Sequence, residues 1–208
     1  MEAVAPAPFI EALTSLRNAT IPQGLAVEEV PGPSRSAPYT AAIRISGHSN
    51  AATHLHDNAS DSVARFVILH DPSGQPGWNG TFRLIVMVHA PIEHDIAQDQ
   101  FASEVAWSWF GEALEKAGAG YHDVAGTVTR TIDQSFGSIR YTPPQMPYLA
   151  PYHFEDQPPN SHDNTVGPGR SEAYLELRAS WTPTTPDLQP HFEAVCALLE
   201  FMSLGAVS

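Results

Sequence analysis

The sequence predicts an α+β fold, in which a mainly antiparallel sheet of about six strands carries helices packed on one face. Segments of alternating apolar residues, typical of strands, follow one another at short intervals, whereas helical periodicity occurs at three places. Each connection between strands is short enough for a hairpin or passes through a single helix, and a doubly wound parallel sheet would need a helix after nearly every strand. The predicted order is therefore α-β-β-β-β-α-β-β-α, in a single domain covering residues 1–208.

The first half of the chain is predicted to form one helix and four strands. The helix is expected at Pro8–Arg17, because proline suits a first helical turn and Phe9, Leu13 and Leu16 share one face. The strands are predicted at Leu25–Val30, Tyr39–Ser46, Val63–His70 and Thr81–Ala90. Turn-forming dipeptides separate the last two strands, so that pair should be a hairpin with a long tip.

The predicted strand Thr81–Ala90 is apolar on both faces. The chain offers too few helices to cover two full sheet faces. We therefore expect the face that carries Ile85 and Met87 to contact a second subunit or a stable protein partner. The alternative is that the first helix or a proline-rich insertion of the same chain covers this face.

The second half is predicted to form a long helix, two strands and a final helix. The long helix is expected at about Ala97–Ala117, with the Trp109 ring in the core. Its buried side is expected to carry Phe101, Val105, Trp109 and Ala113, widened by Phe110 and Leu114. The strands are expected at Val124–Ile132 and Ala173–Trp181. The final helix should begin near Asp187, tolerate Pro190 in its first turn, and bury Leu188, Val195, Leu199 and Met202.

Two irregular segments interrupt this pattern. Residues 47–62 are rich in Asn, Ser, His and Asp and are predicted to form a polar loop. Residues 138–170 contain seven prolines and form a proline-rich insertion. Loops this long are usually functional or disordered, so we expect either a weakly packed insertion or an aromatic arm, with Tyr148 and Tyr152, that docks on a partner.

The composition narrows the class of protein. Twenty-three acidic residues against ten Lys and Arg give a net charge of −13, which disfavours binding to nucleic acid. The single cysteine, Cys196, excludes an intrachain disulfide, fits a reducing cytoplasm, and lies in an apolar run typical of a buried, inert thiol. We expect no membrane association, because no apolar run is long enough to span a bilayer and the first residues do not resemble a secretory signal.

No pattern in the sequence predicts a catalytic residue, a metal site or a cofactor. His54 and His56 are spaced like metal ligands but lie in a polar stretch without strand character. Five His–Asp dipeptides occur, and adjacent residues of an extended chain point apart, so we interpret them as turn-forming pairs. There is no G-x-S-x-G nucleophile elbow, no phosphate-binding loop and no dinucleotide fingerprint. The chain is thus not expected to be an enzyme.

Six residues are candidates for ligand or partner binding. A tryptophan in a loop either folds back onto the core or meets a ligand, and arginines on one sheet face form an anion site. By these criteria the candidates are Trp78, Arg83, Trp107, Arg130, Arg178 and Trp181. Structural packing is the alternative role for each tryptophan, and an ion pair or a solvated face is the alternative for each arginine.

Four blocks of sequence, LHDPSGQPGWNGTFRLIV, EVAWSWFGEALEKAGA, GTVTRTIDQSFG and ELRASWTP, together resemble the actinobacterial domain-of-unknown-function family 3000. The resemblance covers most of the chain, and its matching positions include Trp78, Arg83, Trp107, Arg178 and Trp181. It implies a cytoplasmic protein and assigns no activity. The order of elements also resembles the type III secretion chaperone-like fold, by analogy of fold alone.

The function that agrees best with these observations is an acidic, non-enzymatic protein-binding or adaptor module, which acts through a protein partner or as a homodimer. The alternative is an enzyme or a small-anion binder that uses a sheet pocket with Trp78, Arg83, Arg130 and Arg178. A concave pocket that holds two or more of these arginines would favour the alternative.

Overall fold

A computed structural model describes residues 5–47, 62–136 and 168–204. The helices are Ala7–Ser15 (α1), His94–Gln98 (α2), Ala102–Lys116 (α3) and Gln189–Leu204 (α4), and a 3-10 turn at Leu16–Asn18 follows α1. The strands are Leu25–Val30 (β1), Tyr39–Gly47 (β2), Ser62–His70 (β3), Phe82–Pro91 (β4), Tyr121–Phe136 (β5) and Pro168–Pro183 (β6). These elements confirm the predicted α+β class. The resemblance to secretion chaperones stays an analogy of element order.

The six described strands form one antiparallel sheet in the order β1-β2-β3-β4-β6-β5. The hairpin of β5 and β6 joins the sheet through β6, which pairs with β4 and leaves β5 at the edge. Consequently β2, β3, β4 and β6 are inner strands. β3 is buried along most of its length, whereas buried and half-buried residues alternate along β4.

Alternation along each strand separates the sheet into two faces. The helix face carries the main core, in which Phe66, Leu84, Val86 and Trp181 are inaccessible to solvent and pack under α3 and α4. The opposite face, called here the far face, carries a smaller cluster. Its buried members are Ala42, Val67 and Leu69, and the residues packed against them are Val30, Ala37, Trp78, Ile85 and Met87.

The far face is therefore partly covered by the chain itself. Trp78, from the tip of the β3–β4 hairpin, packs on the same cluster as Ile85 and Met87, which are half-buried. The apolar surface expected at Ile85 and Met87 is thus smaller than the sequence alone suggested. That a second subunit contacts this surface stays a prediction.

The prediction of a single long helix at about Ala97–Ala117 is wrong, because the segment forms two helices. Asp99 leaves the helical region with ψ 122°, and its carboxylate accepts a hydrogen bond from the Phe101 amide at 2.9 Å. This local bond satisfies an amide at the start of α3 and separates it from α2.

The final helix agrees with its prediction. The Asp187 carboxylate accepts the Gln189 amide at 3.2 Å, and Leu188, Val195, Leu199 and Met202 are all buried. Cys196 is also fully buried, and burial raises the pKa of its thiol to about 12, which makes it inert at neutral pH.

The two irregular segments predicted from the sequence lie mostly outside the described residues. At their ends the strands extend further than expected: Gly47 pairs with Ser62, and Phe136 pairs with Pro168. The histidines His54 and His56 and the aromatic residues Tyr148 and Tyr152 fall in the segments that are not described. In the described part, no helix has the length and apolarity needed to cross a membrane.

Gly126 is required where α3 crosses β5. A Cβ added there would lie 2.3 Å from the Arg178 carbonyl oxygen and 2.5 Å from the Trp107 ring. We expect Gly126→Ala to lower the free energy of unfolding by about 1–3 kcal/mol, as overpacking does, in urea denaturation. Gly111→Ala is the matched control, because nothing lies within 4 Å of its added Cβ in mid-helix. That control should gain about 0.5–1 kcal/mol. Equal losses in both variants would contradict the close contact.

Candidate functional site

The six residues proposed from the sequence separate onto the two faces of the sheet. Trp78, Arg83 and Arg178 lie on the far face. The helix side holds the other three, Trp107, Arg130 and Trp181. Arg130 is opposite Leu175 in the β5–β6 register, whereas Arg178 is opposite Met87 in the β4–β6 register. The prediction of a single site that contains Arg83, Arg130 and Arg178 is therefore wrong.

Arg83 is held by the neighbouring strand β6. Its Nη1 donates to Thr182 Oγ1 at 3.1 Å, and its Nη2 donates to Ser180 Oγ at 2.8 Å. Thr182 Oγ1 in turn donates to the Trp78 carbonyl oxygen, which ties the hairpin tip to β6. Burial lowers the pKa of the guanidinium, and the nearby Asp123 carboxylate acts in the opposite direction. Arg83 thus anchors the hairpin.

A second polar contact joins the hairpin tip to the start of β5. Asn79 Nδ2 donates to Asp123 Oδ2 at 2.7 Å, and His122 Nδ1 lies 2.8 Å from the same oxygen. Because a carboxylate only accepts, His122 Nδ1 carries the proton. The hydrogen bond from Asn79 is the first cause of the lowered pKa of Asp123, and that from His122 is the second.

The backbone at this contact is unusual. Asn79 and Asp123 both have φ of 52°, the left-handed region that non-glycine residues adopt rarely, and a bulge interrupts the β5–β6 register after His122. Of the His–Asp dipeptides within the described ranges, this is the one whose side chains form a hydrogen bond. Asp123 is partly exposed, and its described hydrogen-bond partners, Asn79 and His122, come from the hairpin tip and from the start of β5. The pair thus lies at a bulge near the start of β5 and not in a turn, and its two side chains contact each other, which the sequence argument did not expect.

Arg130 stabilises the end of α2. Its Nη1 donates to the Ala97 carbonyl oxygen at 3.2 Å and to the Asp99 carbonyl oxygen. These acceptors belong to the last turn of the helix, where the carbonyls lack partners within the helix and the dipole favours a cation. Arg130 therefore positions α2 against β5.

The far face also holds arginines that the sequence analysis did not select. Arg44 and Arg65 lie opposite each other on β2 and β3, in the row of the sheet that continues through Met87 to Arg178. Arg65 Nη2 donates to the Pro31 carbonyl oxygen at 2.6 Å, and burial lowers its pKa. Arg178 forms an ion pair with Glu176. The strand alternation could have placed these residues on one face, but only the register shows that they form a row.

Titratable side chains meet at the other end of the same face. The His89 ring stacks on Tyr174 with centroids 4.8 Å apart, and Glu176 is its partner across the ladder. Burial lowers the pKa of His89, and its Nδ1 has no hydrogen-bond partner in the described part of the chain. No group of three or more His, Cys, Asp or Glu in the described residues is arranged to hold a metal ion.

The largest departure from the sequence analysis is the buried side of α3. The residues that face the sheet are Ala102, Ala106, Phe110 and Leu114. The stripe expected in the core instead points outward: Phe101 is 54% exposed and Val105 is 40% exposed. The expectation that the Trp109 ring is in the core is met only in part, because the ring is half-buried, packs against the edge of the main core and contacts Phe201 of α4.

Trp109 continues this exposed stripe onto α4. Its ring meets that of Phe201 edge to face, with centroids 4.9 Å apart, and Phe201 is itself 51% exposed. Residues four apart on a helix are neighbours, so Phe101, Val105 and Trp109 form one continuous row. We call this row together with Phe201 the α3–α4 patch.

A known protein family matches nearly the whole chain. The model of a family described as "Protein of unknown function (DUF3000)" matches residues 5–147 and 160–205. The chain belongs to this family. The match includes every described strand and helix, and so includes both the α3–α4 patch and the far-face arginines. No curated protein and no solved structure matches the chain.

Proposed function

We propose that this member of the DUF3000 family is a protein-binding module that docks its partner on the α3–α4 patch. The observation that carries the proposal is the exposure of three large apolar residues in one place, with Phe101 at 54%, Val105 at 40% and Phe201 at 51%. Single exposed apolar residues are normal on any surface, but a continuous group that includes aromatic rings is typical of a contact surface.

The exposed members of the patch on α3, Phe101 and Val105, are not needed to hold the helix in place. The opposite side of the helix already packs on the sheet through Ala106, Phe110 and Leu114, each no more than 2% exposed. When a partner removes exposed apolar side chains such as these from water, the free energy of the complex is lowered. Trp109 and Phe201 supply the aromatic character that dominates the energetics of many interfaces.

The alternative function, an enzyme or a small-anion binder, gains no support from the arginines. Arg83 is bonded to β6 and Arg130 to the end of α2, so both have structural roles. Arg178 lies beside Glu176, which offsets its charge. The binding module is proposed to act in the cytoplasm, in keeping with its single buried cysteine.

The proposal predicts that Val105→Ser combined with Phe201→Ser abolishes partner capture. The tagged wild-type protein and the variant are used for affinity purification from an extract of the natural host, and the retained proteins are quantified. We expect at least one protein to be reduced by about tenfold or more with the variant, because two apolar contacts are lost. The melting temperature should change little, since both side chains are about half exposed.

The matched control combines Ser108→Ala with Glu115→Gln, two exposed positions on the same helix. It should retain every protein that the wild type retains. The captured protein is then purified and titrated directly against both variants. If no protein distinguishes the patch variant from the control, the proposed docking surface is wrong.

A further inference from the structure

The helix side of the molecule is acidic, and this bears on the partner of the α3–α4 patch. Within α2, α3 and α4 the only Lys or Arg is Lys116. The acidic residues of these helices and of the turn between α2 and α3 are Asp95, Asp99, Glu104, Glu112, Glu115, Glu193 and Glu200. Lys116 pairs with Glu112 at 3.6 Å, with both side chains mostly exposed. In the described part of the chain, no Lys or Arg forms an ion pair with Glu104 or Glu200.

These carboxylates border the patch. Glu104 follows Phe101 by three residues and Glu112 follows Trp109 by three, so each lies beside an apolar member on the helix surface. Glu200 directly precedes Phe201 on α4 but points about 100° away from it around the helix, so it is not counted among the edge residues. The patch is therefore an apolar row with acidic side chains at its edge.

Four of the described arginines lie on the other side of the molecule. Arg44, Arg65, Arg83 and Arg178 are all on the far face of the sheet. They are separated from the helix surface by the sheet and the core. The helix side also carries Arg130, bonded to the end of α2, but the seven carboxylates of these helices and their turn outnumber Arg130 and Lys116. The field at the patch is thus net negative, and any partner surface that docks there meets it directly.

We infer that the partner presents an amphipathic helix whose apolar stripe is flanked by lysine or arginine. This inference rests on the proposed function and adds the chemistry of the partner. A basic flank would pair with Glu104 and Glu112, whereas an uncharged flank would remove water from these carboxylates and offer them no replacement partner. A second copy of this chain would bring acidic edges together and is disfavoured for the same reason.

The dimensions of the patch suit a helix. From Phe101 to Trp109 the row extends over eight residues, which corresponds to about 12 Å along the helix axis at 1.5 Å per residue. Phe201 broadens the row from the neighbouring helix α4. Apolar anchors spaced at three and four residues on a partner helix would lie along such a surface.

The test uses two synthetic helical peptides with identical apolar positions, one flanked by lysine and the other by glutamate. Each is labelled and titrated with the wild-type protein, and binding is followed by fluorescence anisotropy. We expect the lysine peptide to bind at least about tenfold more tightly than the glutamate peptide at about 50 mM salt. The preference should shrink at about 500 mM salt, because exposed charges are screened.

Two variants separate the charge from the apolar contact. Glu104→Gln with Glu112→Gln should reduce the preference for the lysine peptide several-fold, whereas Glu11→Gln with Glu29→Gln, on α1 and β1, should leave it unchanged. Val105→Ser with Phe201→Ser should lose binding of the lysine peptide altogether. A peptide that binds this last variant as well as the wild type contradicts the proposed docking surface itself.

Three other results overturn the inference and leave the proposed function standing. The first is equal affinity for the two peptides at low salt. The second is no binding of either peptide while the host extract still yields a patch-dependent partner. The third is a wild-type homodimer, detected by light scattering, that Val105→Ser with Phe201→Ser disperses, because a second copy would then occupy the patch.

Discussion

Trp181→Ala is expected to lower the free energy of unfolding by about 3–5 kcal/mol, the usual cost of removing a large aromatic side chain from a core. Trp181 is 0% exposed and lies between Phe66 on β3 and Phe110 on α3, with ring centroids 6.2 and 5.2 Å away. Its truncation would leave a cavity at the centre of the helix face. Urea denaturation followed by circular dichroism measures the loss.

Trp109→Ala is the matched control for this substitution. The same residue type is removed, but from a half-buried position at the edge of the core, where its ring contacts Phe201. We expect a loss of about 1–2 kcal/mol. A loss at Trp109 as large as that at Trp181 would show that the outer side of α3 is packed, and would contradict the exposed patch.

The second large effect is an acid-induced loss of stability caused by His191. This residue, in the first turn of α4, is 1% exposed, and its Nδ1 accepts a hydrogen bond from Trp181 Nε1 at 3.0 Å. Burial lowers the pKa of His191 to about 4, an effect that the nearby Asp187 only partly opposes. Protonation would place a second hydrogen between Nδ1 and the indole N–H and break this bond.

The direction follows from the lowered pKa. Above pH 6.5 the imidazole is neutral in both the folded and the unfolded chain, so it has no effect on the pH dependence. Between pH 6.5 and about 4 only the unfolded chain binds the proton, and stability falls as the pH falls. The full difference corresponds to about 3 kcal/mol. The lowered pKa values of His70 and His89 act in the same direction.

His191→Gln isolates this contribution, because the amide oxygen can still accept from Trp181 but does not titrate. The free energy of unfolding is measured by urea denaturation between pH 7.5 and pH 4.5 for the wild type, the variant and the half-exposed control His122→Asn. We expect a flatter pH dependence for His191→Gln alone. An unchanged slope would mean that His191 is protonated without penalty in the folded protein.

The elements of this fold were well predicted because their signals are local. The alternation of side chains located the strands to within one or two residues in β1 to β4, and Asp187 correctly marked the start of the last helix. Only the predicted strands β5 and β6 are much shorter than the observed ones. There the strands continue through Gln134 and Ser171 into segments whose composition suggested a loop.

The candidate site was predicted less well, because its residues depend on contacts between distant segments. On α3, two rows with a step of four compete for the core, and the row of larger residues was chosen. The structure buries the row that includes Ala102 and Ala106 instead. Small residues let the helix approach the sheet and α4 closely, whereas the larger row has room only on the outside.

The sequence by itself determined the α+β class, the family, the acidic character and the β3–β4 hairpin, since each depends on composition, motifs or local periodicity. Only the tertiary structure decided which side of α3 is exposed, that Trp181 belongs to the core, and that Arg130 lies apart from Arg83 and Arg178. The physical reason is that burial and strand register depend on the fit between segments far apart in the chain. A one-residue change in register moves a side chain to the other face of the sheet.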